Sequence, residues 1–255
     1  MSAGALLGAG IFVAWSLVLG VRLLRLARRT RGLPELAMGV AFVASGGIGF
    51  ALQILAQAPG SLPAAWNVPA MAGGKLAVQL GVACQALFTW RVFRREAGWA
   101  RGLFVAAVVA LAGISVGYAL AGGLGDPAYS GPWFWLESAA QMLATGWGAV
   151  EALRYHALMR RRVRLGLADP VIANRFLLWG VAIGAGVVAI AVGPVIHAIG
   201  VESPWTPLLI GVAGSVAVIS ALAYWLTFFP PSAYRRLVAR RAEVRAGTVF
   251  GFAER

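Results

Sequence analysis

Charge is scarce in this chain of 255 residues: 12% are Asp, Glu, Lys or Arg, and only nine are acidic. Beside an apolar share of 60% and a mean hydropathy of +0.79, that scarcity excludes an ordinary soluble domain. Long polar stretches are missing too, so no fused kinase, nuclease or nucleotide-binding module is expected. The 26 residues after the last apolar run are too few to fold alone. Cysteine occurs once, at Cys84 inside an apolar run, which excludes an intrachain disulfide. Lysine occurs once, at Lys75.

What is present is a series of apolar runs at the length a bilayer requires, about 20 residues per helix. They cover residues 3–21, 36–58, 68–90, 103–122, 133–153, 176–199 and 206–229. The sequence therefore predicts an all-α fold, a seven-transmembrane-helix bundle over 1–229 followed by a basic cytoplasmic tail over 230–255. Arginine is distributed on one side only. The connections 22–35, 91–102 and 154–175 and the tail hold five, four, six and six arginines, which is all of them. The stretches 1–2, 59–67, 123–132 and 200–205 hold no Lys or Arg, only Asp126 and Glu202. By the positive-inside rule the N-terminus is expected outside and the C-terminus in the cytoplasm, in a bacterial inner membrane. The first run has arginines after it and none before it, so it reads as an uncleaved anchor.

A formal charge of +13 could suggest nucleic acid, but it is spread over four juxtamembrane strips and not gathered on a soluble face. Attraction to anionic headgroups on the cytoplasmic side accounts for it, and no nucleic-acid partner is expected. Asp169-Pro170 reads as an N-cap with Pro at the first helical position. Beyond Pro230-Pro231 the chain can restart as a short amphipathic interfacial helix. Tyr234, Leu237, Val238 and Val244 would lie near one side and Arg235, Arg236 and Arg240 away from it; a frayed basic tail is the alternative.

The two ends of the run series can be aligned. Arg28-Arg29-Thr30-Arg31 falls on Arg161-Arg162-Val163-Arg164, Trp66 and Pro69 on Trp205 and Pro207, and Thr89 on Thr227. This suggests a 3+1+3 internal repeat with the fourth span as linker, although basic and Trp/Pro-containing connections occur in any such protein. SWEET-like transporters share that plan, and microbial rhodopsins share its number of helices. The resemblance stops at motifs: the last span has no Schiff-base lysine, and the Pro-Gln pairs of PQ-loop transporters are missing. The stretch Ala168-Asp169-Pro170-Val171-Ile172-Ala173-Asn174-Arg175-Phe176-Leu177-Leu178-Trp179-Gly180 resembles segments of uncharacterised bacterial seven-helix integral membrane proteins. That resemblance implies topology and no activity.

Catalytic patterns fail on placement. Gly123-Leu124-Gly125-Asp126 matches the GxGD pattern of intramembrane aspartyl proteases, but the other aspartate, Asp169, is expected on the opposite side, so no proton can be shared. Asp126-Pro127 reads as a turn. His156 and His197 are also expected on opposite sides, which excludes a shared metal or haem. The chain is expected to be no enzyme and to carry no cofactor. Small residues at helical spacing, Ser45/Gly49, Gly73/Ala77/Gly81, Gly113/Gly117 and Gly180/Gly184, read as close helix approaches.

A set of polar residues at helical spacing inside the runs falls in the arginine-free half, while the inner halves hold scattered, weakly polar ones such as Ser45, Thr89, Ser215 and Ser220. Lys75 and Gln79 lie four apart, Glu137, Gln141 and Thr145 repeat every four, and Gln53 and Gln57 do so on the second run. Lys75 is about 10 Å deep and Glu137 about 6 Å, and His197 could join them. An intramembrane charge costs about 2.5–3.5 kcal/mol and usually faces a bundle interior or a wet cavity. One reading is an outward-facing polar pocket for an unknown small ligand, with Lys75 and Glu137 as a paired charge. A structural interhelical network and snorkelling of both charges are the others. Glu151 reads as an interface pair with Arg154. The expected function is a receptor-like sensor or ligand-binding bundle that signals to a cytoplasmic protein partner. The alternative is a small-molecule transporter of 3+1+3 architecture.

Overall fold

The computed structural model describes residues 3–58 and 60–240, and among them it contains helices, turns and no strand. In chain order the helices are α1 (Ala3–Thr30), α2 (Leu33–Gln57), α3 (Ala64–Phe93), α4 (Gly98–Leu120), α5 (Pro132–Arg164), α6 (Pro170–Ile199) and α7 (Thr206–Phe228), and a further helix, α8, is described over 232–240. Several run past the expected apolar limits. α1 continues to Thr30 and α5 to Arg164, so that the basic strips ride on the last helical turns, where cations meet the negative end of the helix dipole. Val244, assigned above to the terminal helix, lies outside the described residues.

Six helices among the described residues are long and apolar enough to cross a membrane: α1 (over Gly10–Thr30), α2, α3, α4, α6 and α7. By length and composition the chain is a multi-pass membrane protein. α5 fills the position of the fifth expected span and is 33 residues long, but it is not among the six. Its Glu137, Gln141 and Glu151 and the arginines that begin at Arg154 dilute every stretch of it.

Local chemistry explains the breaks. Arg31 takes a left-handed φ of 52° and Pro34 opens α2, so α1 cannot continue. The carboxylate of Asp169 accepts the Val171 N–H at 2.7 Å and caps α6 ahead of Pro170. α4 ends in a Schellman motif: Gly122 has φ +69°, Gly123 N donates to Tyr118 O at 2.9 Å, and Gly122 N donates to Ala119 O at 3.1 Å. The middle of α2 is wound as a π-helix over Phe42–Gly49. Three glycines weaken the α form there, and Ser45 Oγ donates to Ala41 O at 2.6 Å.

Helix contacts define a ring. α1 packs on α2 and α7, α2 on α3, α3 on α5, α5 on α6 and α6 on α7, while α4 stands outside against α3 and α5. Lipid offers no hydrophobic drive between helices, so close packing must hold the ring. Glycine permits it: a Cβ on Gly49 would sit 2.7 Å from Val78 Cγ2, and one on Gly81 would meet Ser45. Gly117 admits the Trp133 ring and Gly180 the Leu153 side chain, whereas Gly113 and Gly184 face open space. At the arginine-rich end the ring is filled. Leu19 and Leu23 of α1, Phe42 of α2, Phe88 and Phe93 of α3, Ala152 of α5, Trp179 of α6 and Tyr224 of α7 belong to one buried cluster. Phe88 stacks on Trp179 at 4.8 Å, and Tyr224 meets Phe42 edge-on at 4.7 Å.

Candidate functional site

At the arginine-free end α3, α4 and α5 bring their polar side chains together. Glu137, in the second turn of α5, is 8% exposed, and its Oε1 accepts Gln79 Nε2 at 2.9 Å and Gln141 Nε2 at 3.1 Å. Gln79 of α3 is 5% exposed, and its own amide oxygen accepts the Ser115 hydroxyl of α4. Among the described residues no Lys, Arg or His nitrogen lies within 4 Å of Glu137. The carboxylate is therefore held by neutral donors alone. Tyr118 of α4 is fully buried with its hydroxyl beside the Glu137 carboxylate, although among the described residues it makes no hydrogen bond of full geometry. A polar group bridging the hydroxyl and the carboxylate would complete the bonding of both.

Lys75 does not pair with Glu137 as the spacing suggested. Its Nζ donates to Gly123 O at 2.9 Å and to Asp126 O at 3.3 Å, and it lies 4.3 Å from the centre of the Tyr118 ring. The reason is local. The loop carbonyls of Gly123 and Asp126 that follow α4, together with the Tyr118 ring face, offer the ammonium group its partners. Lys75 thus staples the connection between α4 and α5 above the carboxylate network. Asp126 itself closes a turn, its Oδ1 accepting Ala128 N at 2.8 Å.

The other expected residues lie apart from this network. Gln53 is half-buried against Gly74, where a Cβ would fall 2.8 Å from its Cγ. Gln57 is exposed and donates to Gln53 O at 3.2 Å. His197 rests on Phe134 at 4.5 Å and Trp135 at 6.4 Å, one turn before Glu137 on α5. Ser115 and Tyr118 were missed because the fourth helix was read only as a linker. The same spacing test that singled out Lys75 and Gln79 would have flagged them, three residues apart in an apolar helix.

At the opposite end Glu151 is 2% exposed and pairs with Arg94, not with Arg154: Arg94 Nε lies 3.0 Å from both carboxylate oxygens. Arg94 follows α3, and since α3 packs on α5 its side chain reaches the buried face of α5, while Arg154 points to the exposed one. Among the described residues no three His, Cys, Asp or Glu side chains converge as metal ligands. No protein-family model, no curated protein and no solved structure matches the chain.

Proposed function

We propose that the chain is a receptor-like sensor of a bacterial inner membrane, a seven-helix bundle that binds a small polar ligand at its arginine-free, outward-facing end. The observation that carries this reading is Glu137, buried and held by Gln79 and Gln141, with no cation within 4 Å among the described residues and the Tyr118 hydroxyl beside it. Such a carboxylate is expensive in lipid and costs less when it serves a bundle interior that receives a ligand. The ligand would bear a hydrogen-bond donor for the carboxylate and a group for the tyrosine. α5 is in this reading the seventh crossing, its charge tolerated because its polar face is turned to α3 and α4. The N-terminus lies outside and the C-terminus in the cytoplasm, where α8 would rest in the headgroup layer with the Asn174 side chain bonded to Tyr234. A cytoplasmic protein would receive the signal there. The sequence resemblance to bacterial seven-helix proteins fits the same plan.

Sensing is preferred over transport because the aromatic cluster of Phe42, Phe88, Trp179 and Tyr224 fills the ring at the arginine-rich end. A transporter of 3+1+3 architecture remains the second reading, and the helix contacts favour it in one respect. Exchanging α1, α2 and α3 with α5, α6 and α7 maps every neighbour in the ring onto another neighbour and leaves α4 outside. Thr89 and Thr227, aligned above, are both buried and both donate to the carbonyl four residues earlier. Screening the detergent-purified chain against small polar metabolites by thermal shift tests the proposal. At least one compound should raise Tm in the parent protein and fail to do so in Tyr118→Phe and Glu137→Gln; a hundredfold excess over Kd gives about 2.7 kcal/mol. Shifts that survive both substitutions would place the ligand elsewhere. Uptake of that ligand into proteoliposomes would favour transport.

A further inference from the structure

We propose that the arginine-rich end of α5 carries a specific site for an anionic phospholipid, with the headgroup held by Arg154, Arg161 and Arg162 and an acyl chain laid along α5. This rests on the reading that the chain crosses a bilayer and is independent of any ligand at Glu137.

Two adjoining grooves open at this end and share Tyr155, Leu158 and Arg161. One of them extends to Arg94, Glu151 and Arg154, the other to Arg162. The charge of Arg94 is taken up by Glu151. Arg154, Arg161 and Arg162 are exposed, and among the described residues none of them has a carboxylate within 4 Å. Three positive charges thus surround a floor of Leu158 and Tyr155 with no counterion among the described residues. Arg22 and Arg91, in two other basic strips, are held against aromatic rings. The Arg22 guanidinium lies 4.5 Å from the Phe229 ring centre, and that of Arg91 lies 4.4 Å from the Trp90 ring centre.

Helical geometry adds the apolar half of the site. Residues seven apart on a helix lie about 20° from one another, so Leu136, Leu143, Val150 and Ala157 form one stripe, and Arg154 and Arg161 fall on it. Leu136, Leu143 and Val150 are all exposed, Leu143 to 75%. From Leu143 to Arg154 is about 16 Å, half the hydrocarbon thickness and the reach of one acyl chain. An apolar track that ends in three uncompensated guanidinium groups is complementary to a phospholipid, whose phosphate accepts guanidinium hydrogen bonds and whose chain follows the track. A soluble phosphate would use the arginines and leave the track uncovered.

Native mass spectrometry of the full chain in detergent tests this, with diphosphatidylglycerol, phosphatidylglycerol and phosphatidylcholine added in turn. The parent protein should retain the two anionic lipids over phosphatidylcholine by about tenfold or more, since each arginine is worth roughly fivefold. The triple variant Arg154→Gln, Arg161→Gln, Arg162→Gln should lose that preference. Arg235→Gln, Arg236→Gln, Arg240→Gln, an equal charge removed from α8, should keep it. Arg161→Gln alone, monodisperse by size exclusion, should show a roughly fivefold loss if the triple variant misfolds. Equal losses in the two triple variants, equal retention of phosphatidylcholine, or displacement of the lipid by millimolar pyrophosphate would overturn the proposal, the last in favour of a soluble anion.

Discussion

At the residue scale, three side chains carry charge or polarity that the fold must neutralise, and each is neutralised differently. Glu137 relies on amide donors, so shape matters more than charge. Glu137→Gln keeps an acceptor and should change Tm little, whereas Glu137→Leu strands the Gln79 and Gln141 donors at about 1–3 kcal/mol each, read as thermal unfolding in detergent. Lys75 is bonded to loop carbonyls, so Lys75→Met should speed amide hydrogen exchange across 121–129. Its effect on stability should add to that of Glu137→Gln within about 0.5 kcal/mol, and a larger coupling would reinstate the direct ion pair. Glu151 is the true buried pair. Arg94→Met should cost about 3–5 kcal/mol because it leaves the carboxylate uncompensated, while Arg154→Gln should leave the Tm nearly unchanged. The sequence identified Glu137, Gln79 and Gln141 correctly as polar groups at helical spacing, but the partners of Lys75 and Glu151 were not legible. A lysine reaches whatever carbonyls a loop presents, and Arg94 is 57 residues from Glu151, so both depend on tertiary placement.

At the element scale, glycine sets which helices touch. Gly46→Ala should destabilise the π segment of α2, since its Cβ would collide with Ser16 of α1. Gly184→Ala meets nothing within 4 Å and should be neutral or stabilising by up to about 1 kcal/mol, the helix-propensity difference. Thermal unfolding should therefore fall for Gly46→Ala and hold or rise for Gly184→Ala. Six helices were readable from apolar length, and the caps at Asp169 and the turn at Asp126 from local residue chemistry. The π segment was not, because Gly46, Gly47 and Gly49 only loosen the α form, and the neighbours packed against them, Ser16 on Gly46 and Val78 on Gly49, lie far away in sequence. The limits of α1 and α5 were misread for a related reason: a helix need not stop where hydropathy stops when its last turn gains from arginine.

At the scale of the whole molecule, α5 decides the account. It is the helix that joins the arginine-free site to the arginine-rich grooves, and its polar content is both what sets it apart from the six apolar helices and what builds the site. If α5 crosses the bilayer, Glu137 and Arg161, about 36 Å apart along its axis, serve opposite membrane faces. The most direct measurement is accessibility on either side of α5 alone. In a Cys84→Ser background, Ser130→Cys and Leu167→Cys, both at exposed positions, flank that single helix. An impermeant maleimide applied to intact cells should label Ser130→Cys at once and Leu167→Cys only after the membrane is broken. Labelling of both, or of neither, in intact cells would show that α5 does not cross and would contradict the seven-helix account.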